Sequence, residues 1–141
     1  MDQEFISWED FQKVDIRIGT IVDAQDFPKA RKPAYKLWVD LGEDLGTKKS
    51  SAQITNLYEK EDLIGKQVIC ICNFPPKQIA DHMSEILVTG FYNKDGHVVL
   101  AGAQGQLEAR YRDQSRRLIW ATQVARLSRS TFIRSGDPHY E

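Results

Sequence analysis

The chain has 141 residues and a mass of 16.2 kDa, which suits one domain because domains cluster near ~100–150 residues. Hydrophobic residues make up 41% and charged residues 28%, an ordinary composition for a soluble domain. No stretch approaches the ~20 apolar residues that span a membrane. The acidic N-terminus lacks the basic and apolar regions of a signal peptide. We therefore expect a cytoplasmic protein that does not insert into a membrane.

The formal net charge of −1 is unevenly distributed along the chain. Residues 1–106 carry a net charge of −4, whereas residues 107–141 carry +3 from seven arginines and four acids. An acidic body argues against broad coating of duplex DNA, which requires many contacts to phosphates. The acidic net charge of the body does not exclude a local basic patch.

The first predicted element is a short amphipathic helix over residues 5–14. Ser7 is a favourable N-cap, and Asp10 lies three residues further on, as in a capping box. From residue 14 to residue 24 apolar and polar residues alternate, which predicts a long, half-buried strand. Gly19 in the middle of that strand predicts a bulge or a close approach of two backbones.

The centre of the chain predicts three more strands and a helical turn. A loop with two prolines and three basic side chains, residues 27–34, leads into a second alternating strand over 35–41. The third strand, 48–55, is polar on one side. Residues 56–65 resemble a helical turn that Gly65 can end. Residues 68–72 are continuously apolar, which predicts a central strand buried on both faces.

The last predicted strands cover residues 86–92 and 98–101, joined by a turn at 93–96. Five to seven short strands in about 100 residues are typical of a small β-barrel. Beyond residue 105 the pattern weakens, and residues 111–127 fit either a helix or a strand.

Five fragments then occur in a characteristic order: VDIRIGTIV at 14–22, SSAQIT at 50–55, LIGKQV at 63–68, NFPPK at 73–77 and SEILV at 84–88. Together they resemble the tRNA-binding-domain family, whose members are OB-folds. Members occur as appendages of methionyl- and phenylalanyl-tRNA synthetases and as free-standing homodimers. The loop ARKPAYKL at 30–37 resembles the free-standing CsaA type, a secretion-related chaperone. The resemblance implies an all-β, five-stranded OB barrel with short flanking helices.

The C-terminus departs from the family pattern. Family members end near a Pro-x-Gly-x-Lys-Ile sequence, whereas this chain has LEAR at 107–110 and some thirty further residues. We therefore divide the chain into an OB-fold domain over 1–106 and an arginine-rich C-terminal extension over 107–141. Two origins of the extension stay open: a genuine addition, or a tail translated in a shifted reading frame, which would explain why no lysine follows Lys94.

The candidate nucleic-acid-binding residues combine basic side chains with short polar groups that can meet phosphates, 2′-hydroxyls or base edges. They are Lys36, Lys49, Ser51, Gln53, Asn73, Lys77 and Ser84. The resemblance places all of these except Lys36 and Lys49 on the family's tRNA-facing motif. A structural alternative stays open, in which Ser51 and Gln53 form the solvated side of a strand and Asn73 caps the turn before Pro75.

The resemblance to CsaA also implies a homodimer that holds unfolded segments of exported proteins in apolar pockets near its subunit interface. Candidate peptide-binding or dimer residues are Trp38, Phe74, Ile79 and Met83. The neighbours Lys36 and Asp40 are polar, so Trp38 lies on the face opposite the core. It then serves as a dimer anchor, a ligand platform or the lid of a second small core.

No catalytic site, metal site or cofactor is expected. Asp81, His82 and Ser84 include the residue types of a triad, but a triad is assembled in space rather than along the chain. Cys70 and Cys72 have the wrong spacing for a zinc or redox motif and are better interpreted as small buried hydrophobic residues. The sequence thus predicts a CsaA-like export chaperone that keeps a tRNA-binding-type surface. The alternative is a stand-alone tRNA-binding module that assists tRNA handling or aminoacylation.

Overall fold

The structure, a computed structural model, describes residues 3–105, 107 and 118, and it is mostly β. Its helices are α1 (Trp8–Gln12) and α2 (Lys60–Leu63). Its strands are β1 (Ile16–Asp26), β2 (Tyr35–Asp40), β3 (Thr47–Ala52), β4 (Gln67–Ile71), β5 (Lys77–Ile79), β6 (His82–Ser84), β7 (Leu87–Val88), β8 (Gly90–Tyr92) and β9 (Val98–Leu100). The region expected to be helix or strand at 111–127 lies outside the described residues, apart from residue 118.

Five antiparallel strands pair in the order β3-β2-β1-β4-β7 and form a nearly closed barrel. This confirms the predicted all-β OB-fold class. Two hairpins, β5–β6 and β8–β9, complete the described part of the chain. In the described residues no helix is long and apolar enough to cross a membrane.

The barrel core is built from the alternating faces of its strands. Along β2, Tyr35, Leu37 and Val39 are buried and the residues between them are half-buried. The alternation of β2 is therefore confirmed, with Trp38 on the face opposite the core. The strand β4 lies between β1 and β7, so it is central, but its residues alternate between buried and half-buried. The expected complete burial of both faces was wrong. Although the side chains of this segment are nearly all apolar, only every second one along β4 is fully buried.

The strand β1 buries Arg17, Gly19 and Ile21 rather than the isoleucines that alternate with them. A Cβ atom on Gly19 would lie 2.5 Å from a methyl carbon of Val39. This confirms the close backbone approach expected at Gly19. The bulge lies elsewhere, between Ile21 and Asp23, where the register with β2 shifts.

Arg17 enters the interior with its charge fully paired. Its guanidinium donates to both carboxylate oxygens of Asp15, at 2.8 and 2.9 Å, and to Asp44 at 2.8 Å. These bonds, above all the one to Asp15, raise the pKa of Arg17 above its ordinary value. The cluster joins the start of β1 to the turn after β2.

The helix α1 is shorter than expected because Ser7 is its N-cap. The Ser7 hydroxyl accepts from Asp10 N–H and the Asp10 carboxylate accepts from Ser7 N–H, which confirms the capping box. Residues 5 and 6 precede the cap and stay exposed. The helix α2 is a single turn, and Gly65 follows it at φ 90°, as the sequence predicts for a residue that ends a helix.

Two features of residues 72–101 differ from expectation. The hairpin β5–β6 was not foreseen. The strand expected over 86–92 is interrupted at Thr89, whose N–H donates to the Ile69 carbonyl while its own carbonyl accepts from Ala101. Thr89 therefore bonds to β4 through its N–H and to Ala101, the residue after β9, through its carbonyl. After this point the chain leaves β4, and β8 pairs with β9 in a separate two-stranded sheet. The turn at 93–96 is confirmed, with Gly96 N–H donating to Asn93.

Candidate ligand-binding groove

A groove with a volume of about 1230 Å³ opens on one side of the barrel. Five segments contribute to it: the loop between β1 and β2, residues 51–56 at the end of β3, the tip of the β5–β6 hairpin, the strand β7 and the β8–β9 hairpin. OB-folds bind their ligands on the β2–β3 side, between the loops that flank it. The fold therefore places this groove where a binding site is expected.

The lining of the groove combines basic, aromatic and apolar side chains. Its basic wall consists of Lys29, Arg31 and Lys32 on the β1–β2 loop, and no Asp or Glu is present among the described lining residues. Its aromatic part consists of Phe91 and Tyr92, which are 75% and 79% exposed. Apolar side chains also line the groove: Ala52, Ile54, Ile79, Val88, Val98 and Leu100.

The tip of the β5–β6 hairpin contacts the basic wall through Asp81. Its carboxylate lies 3.8 Å from the Lys29 ammonium and 3.6 Å from the Lys36 ammonium. The Lys36 ammonium also lies 5.2 Å from the centre of the Phe27 ring, in a cation–π arrangement. These contacts hold the start of the β1–β2 loop against the hairpin, and Lys36 keeps only 20% of its side chain exposed.

A small aromatic cluster lies behind this contact, centred on His82. The ring of His82 is 5% exposed and meets Phe27 and Trp38 edge-on, with ring centres 5.6 and 5.5 Å apart. Its Nε2 atom lies 2.8 Å from the Ser50 carbonyl oxygen, within hydrogen-bond distance. Trp38 thus covers a second, minor core outside the barrel. The sequence singled out His82 only as a residue type of a triad and gave no sign of this packing role.

The β-sheet register brings several candidate nucleic-acid residues into pairs. Lys36 is opposite Ser51 between β2 and β3, and Lys77 is opposite Ser84 between β5 and β6. Ser51 and Gln53 line the groove. Lys49 pairs with Trp38 and stands outside the groove lining.

Asn73 lies apart from that group. Its amide donates to the Lys13 carbonyl at 2.6 Å and accepts from Asp15 N–H at 2.9 Å. The side chain therefore connects the segment that follows β4 to the end of α1 and the start of β1, which is a structural role. This bonding resembles the capping alternative, but it acts on a distant segment instead of the local turn.

The candidate peptide-binding residues do not form one pocket. Ile79 lines the groove, whereas Met83 pairs with Gln78 across the β5–β6 hairpin. Phe74 is 57% exposed and lies on the loop after β4. Trp38 lies in the minor core with His82.

The sequence interpretation gave no special weight to Phe91 and missed Tyr92 altogether. A signal was available, because two consecutive aromatic residues on a strand point to opposite faces. A hairpin at the rim of a small barrel cannot bury both faces. Tyr92 directly precedes the turn at 93–96, which places it at such a rim.

The two thiols are free, and desolvation by burial raises the pKa of Cys70 to about 12 and that of Cys72 to about 11. Both are therefore protonated and weakly reactive near neutral pH. Within the described residues, no three His, Cys, Asp or Glu side chains are close enough together to hold a metal ion.

A family model described as "Putative tRNA binding domain" matches residues 16–110. The chain is 36% identical over 109 residues to a methionine–tRNA ligase of Methanocaldococcus jannaschii and 36% identical over 101 residues to that of Bacteroides fragilis. These matches cover 77% and 70% of this chain but only 16% and 14% of the two ligases.

Solved structures of chaperones match over nearly their whole length. A CsaA chaperone protein from Picrophilus torridus is 45% identical, with a TM-score of 0.71, over 82% of this chain and 100% of that one. A CsaA chaperone from Bacillus anthracis is 47% identical, with a TM-score of 0.68, over 74% and 94%. The chain belongs to the tRNA-binding-domain family of OB-folds and, within it, to the CsaA type. These matches are to a binding domain and to chaperones, not to catalytic domains.

Proposed function

We propose that the protein is a CsaA-like chaperone of the cytoplasm that binds unfolded polypeptide and supports protein export. The observation that carries the proposal is the open groove, which is lined by apolar residues. The chain that forms it is 45% identical to a CsaA chaperone and covers 100% of that chaperone. The two free thiols are consistent with a reducing compartment.

The groove has the properties that an unfolded segment requires. It is open to solvent, so a chain can lie in it without threading an end. Phe91 and Tyr92 offer rigid aromatic surface that no other described residue covers, and exposed apolar surface of this kind is typical of interaction sites. Loss of that surface should weaken binding without disturbing the barrel core.

The test measures the anisotropy of a labelled polypeptide that is reduced and carboxymethylated so that it cannot refold. The double variant Phe91→Ser, Tyr92→Ser should bind about tenfold more weakly, which corresponds to ~1.4 kcal/mol. A matched control, Phe5→Ser with Ile6→Ser, removes equally exposed apolar residues outside the groove and should bind as the natural protein does. Equal binding by both double variants would remove the groove from the proposal.

A second candidate function is tRNA binding, favoured by the charge of the groove. Lys29, Arg31 and Lys32 line the same groove as two exposed aromatic rings, and proteins that bind single strands combine cations for phosphates with rings for bases. The six candidates Lys36, Lys49, Ser51, Gln53, Lys77 and Ser84 stay part of this proposal. Asn73 contributes less to it, because its amide is bonded within the protein.

We also propose that the protein is a homodimer, on the basis of its resemblance to free-standing family members. Sedimentation equilibrium should give twice the chain mass of 16.2 kDa. Phe74→Ser, which removes a half-exposed aromatic residue, should shift the equilibrium towards the monomer more than Trp38→Ala, because Trp38 packs internally on His82. A monomer at all concentrations would contradict the proposal.

A further inference from the structure

Four isoleucines form an apolar patch on the outer face of the barrel, which we call the isoleucine face. Ile16 is opposite Ile71 and Ile18 is opposite Ile69 in the pairing of β1 with β4. The residues that alternate with them along both strands are buried in the core, so these four side chains point away from it. All four are half-buried, and none belongs to the described lining of the groove.

The C-terminal extension is attached near both ends of the isoleucine face. Gln67 pairs with Thr20 and lies on the same outer face of β4, and its amide donates to the Leu107 carbonyl and accepts from Leu107 N–H, both at 3.1 Å. At the other end of the face, Leu118 N–H donates to the Ile16 carbonyl. The two residues of the extension that the structure describes therefore flank the face.

The extension is long enough to cross the isoleucine face within one chain. Because Gln67 pairs with Thr20, its level along β1 is four residues from Ile16, or about 13 Å. The segment from Leu107 to Leu118 can span up to about 36 Å when extended. A second copy of the chain is therefore not needed to bring Leu118 to Ile16.

The composition of the extension complements the surface that it would cross. Residues 107–112 have the sequence LEARYR, in which Leu107, Ala109 and Tyr111 alternate with charged residues. In an extended chain these three side chains share one face, which is then apolar. The extension carries a net charge of +3 and residues 1–106 carry −4, so electrostatic attraction also favours attachment of the extension to the barrel.

We infer that the C-terminal extension crosses the outer face of β1 and β4 and covers the isoleucine face with Leu107, Ala109 and Tyr111. The occupant is the extension of the same chain. It removes from water an apolar surface that would otherwise be open to a second copy, since exposed apolar patches promote association. This role is independent of what the groove binds.

The first experiment uses NMR of the full chain, labelled with ¹³C in the δ1 methyl groups of isoleucine. Tyr111→Ser removes an aromatic ring from the proposed cover and should shift the methyl signals of Ile18 and Ile69. Tyr140→Ser is the matched control, because it removes a ring near the end of the extension and should shift neither signal. The methyl signal of Ile21, which is buried in the core, should stay in place in both variants. Unshifted Ile18 and Ile69 signals in Tyr111→Ser overturn the inferred cover.

The second experiment measures trypsin cleavage after Arg110 and Arg112 in the folded protein. A covered segment is cleaved only when it detaches, so the rate reports the detached population. The double variant Ile18→Ser, Ile69→Ser should raise this rate about tenfold by favouring the detached state. Val22→Ser removes an exposed apolar side chain of β1 beyond the isoleucine face and should leave the rate unchanged.

The outcomes distinguish the cover from its alternatives. Equal cleavage of the natural protein and the double variant overturns the cover. Protection that disappears when the natural protein is diluted assigns the cover to the extension of a second copy and overturns the same-chain assignment. Cleavage after Lys49 in β3 measures global unfolding, and it should rise less than cleavage in the extension. If both rise equally, the double variant has unfolded, and the methyl shifts in Tyr111→Ser decide the question.

Discussion

Single residues decide how the barrel closes, and Gly19 is the clearest example. It lies on the buried face of β1, directly against Val39 of β2 and against Leu41, the residue that follows β2. A residue with a side chain cannot occupy this position unless β1 and β2 separate. Arg17, two residues before Gly19 on the same face of β1, is the contrasting case. Its large charged side chain can be buried there because Asp15 and Asp44 form ion pairs with it.

Gly19→Ala is expected to lower the free energy of unfolding by about 2 kcal/mol, the usual cost of overfilling a packed core. The new Cβ would lie 2.5 Å from a Val39 carbon and 2.7 Å from a Leu41 carbon. Urea denaturation measures the change. Gly105→Ala is the control, because a Cβ there meets nothing within 4 Å. Equal free energies of unfolding for both variants would show that β1 and β2 can separate without a loss of stability.

Cys70 gives a prediction for alkaline pH. Burial raises its pKa from 9.0 to about 12, so above pH 9 the unfolded thiol loses its proton while the folded one keeps it. The unfolded state then binds fewer protons, and stability falls as pH rises, by up to ~1.4 kcal/mol per pH unit until the folded thiol also ionises. Urea denaturation between pH 8 and pH 11 should show a flatter decline for Cys70→Ala than for the natural protein. Parallel declines would contradict this.

At the level of elements, side-chain bonds attach the short helix and the hairpins to the barrel. The helix α1 has only five residues and no buried side chain, so it cannot be stable through its own packing. Its C-terminal end is held by Asn73, and the β5–β6 hairpin is held by Asp81 and His82. Sequence patterns within each element give no sign of these distant attachments.

Asn73→Ala is expected to lower the free energy of unfolding by about 1–2 kcal/mol, because it removes one bond to Lys13 and one to Asp15. Thermal or urea denaturation measures this. Asn56→Ala changes an exposed amide and should be nearly neutral. If the protein binds tRNA, Asn73→Ala should leave the salt dependence of the tRNA affinity unchanged. A clear change would indicate that Asn73 belongs to the tRNA-binding site.

The hairpin tip offers an element-scale test of backbone strain. Ala80 adopts φ 49°, the left-handed region that disfavours a side chain. Ala80→Gly is expected to raise the free energy of unfolding by up to about 1 kcal/mol. Gly96→Ala makes the reverse change at φ 80° in the β8–β9 turn and should be destabilising. A destabilised Ala80→Gly variant would mean that chain entropy outweighs the strain at this tip.

On the scale of the whole molecule, charge is arranged by the fold rather than by the composition. The chain is nearly neutral, yet the groove gathers three cations and no acid among its described lining residues. Asp81 at the β5–β6 tip partly offsets this charge, because its carboxylate lies 3.8 Å from the Lys29 ammonium. A partner that approaches the groove still meets a positive lining, which the net charge of the chain conceals.

This arrangement predicts the salt dependence of tRNA binding for the second candidate function. Replacing Lys29, Arg31 and Lys32 with alanine should reduce the slope of log affinity against log salt by up to about 2, because each lost phosphate contact contributes ~0.7 for a single strand. The control replaces three lysines outside the groove lining, Lys13, Lys60 and Lys66, and reaches the same net charge of −4. Filter binding at several salt concentrations measures both slopes. Equal slopes would assign the effect to net charge alone.

The sequence by itself determined the barrel, the positions of its main strands, the capping box at Ser7 and the turn ending at Gly96. These features follow from local periodicity and from residues whose backbone preferences are strong. Only the tertiary structure decided which face of β1 is buried, that β4 alternates, that Asn73 holds α1, and that Phe91 and Tyr92 line the same groove as the basic loop. Each of these depends on a partner more than fifteen residues away, and no local pattern encodes which distant strand supplies it.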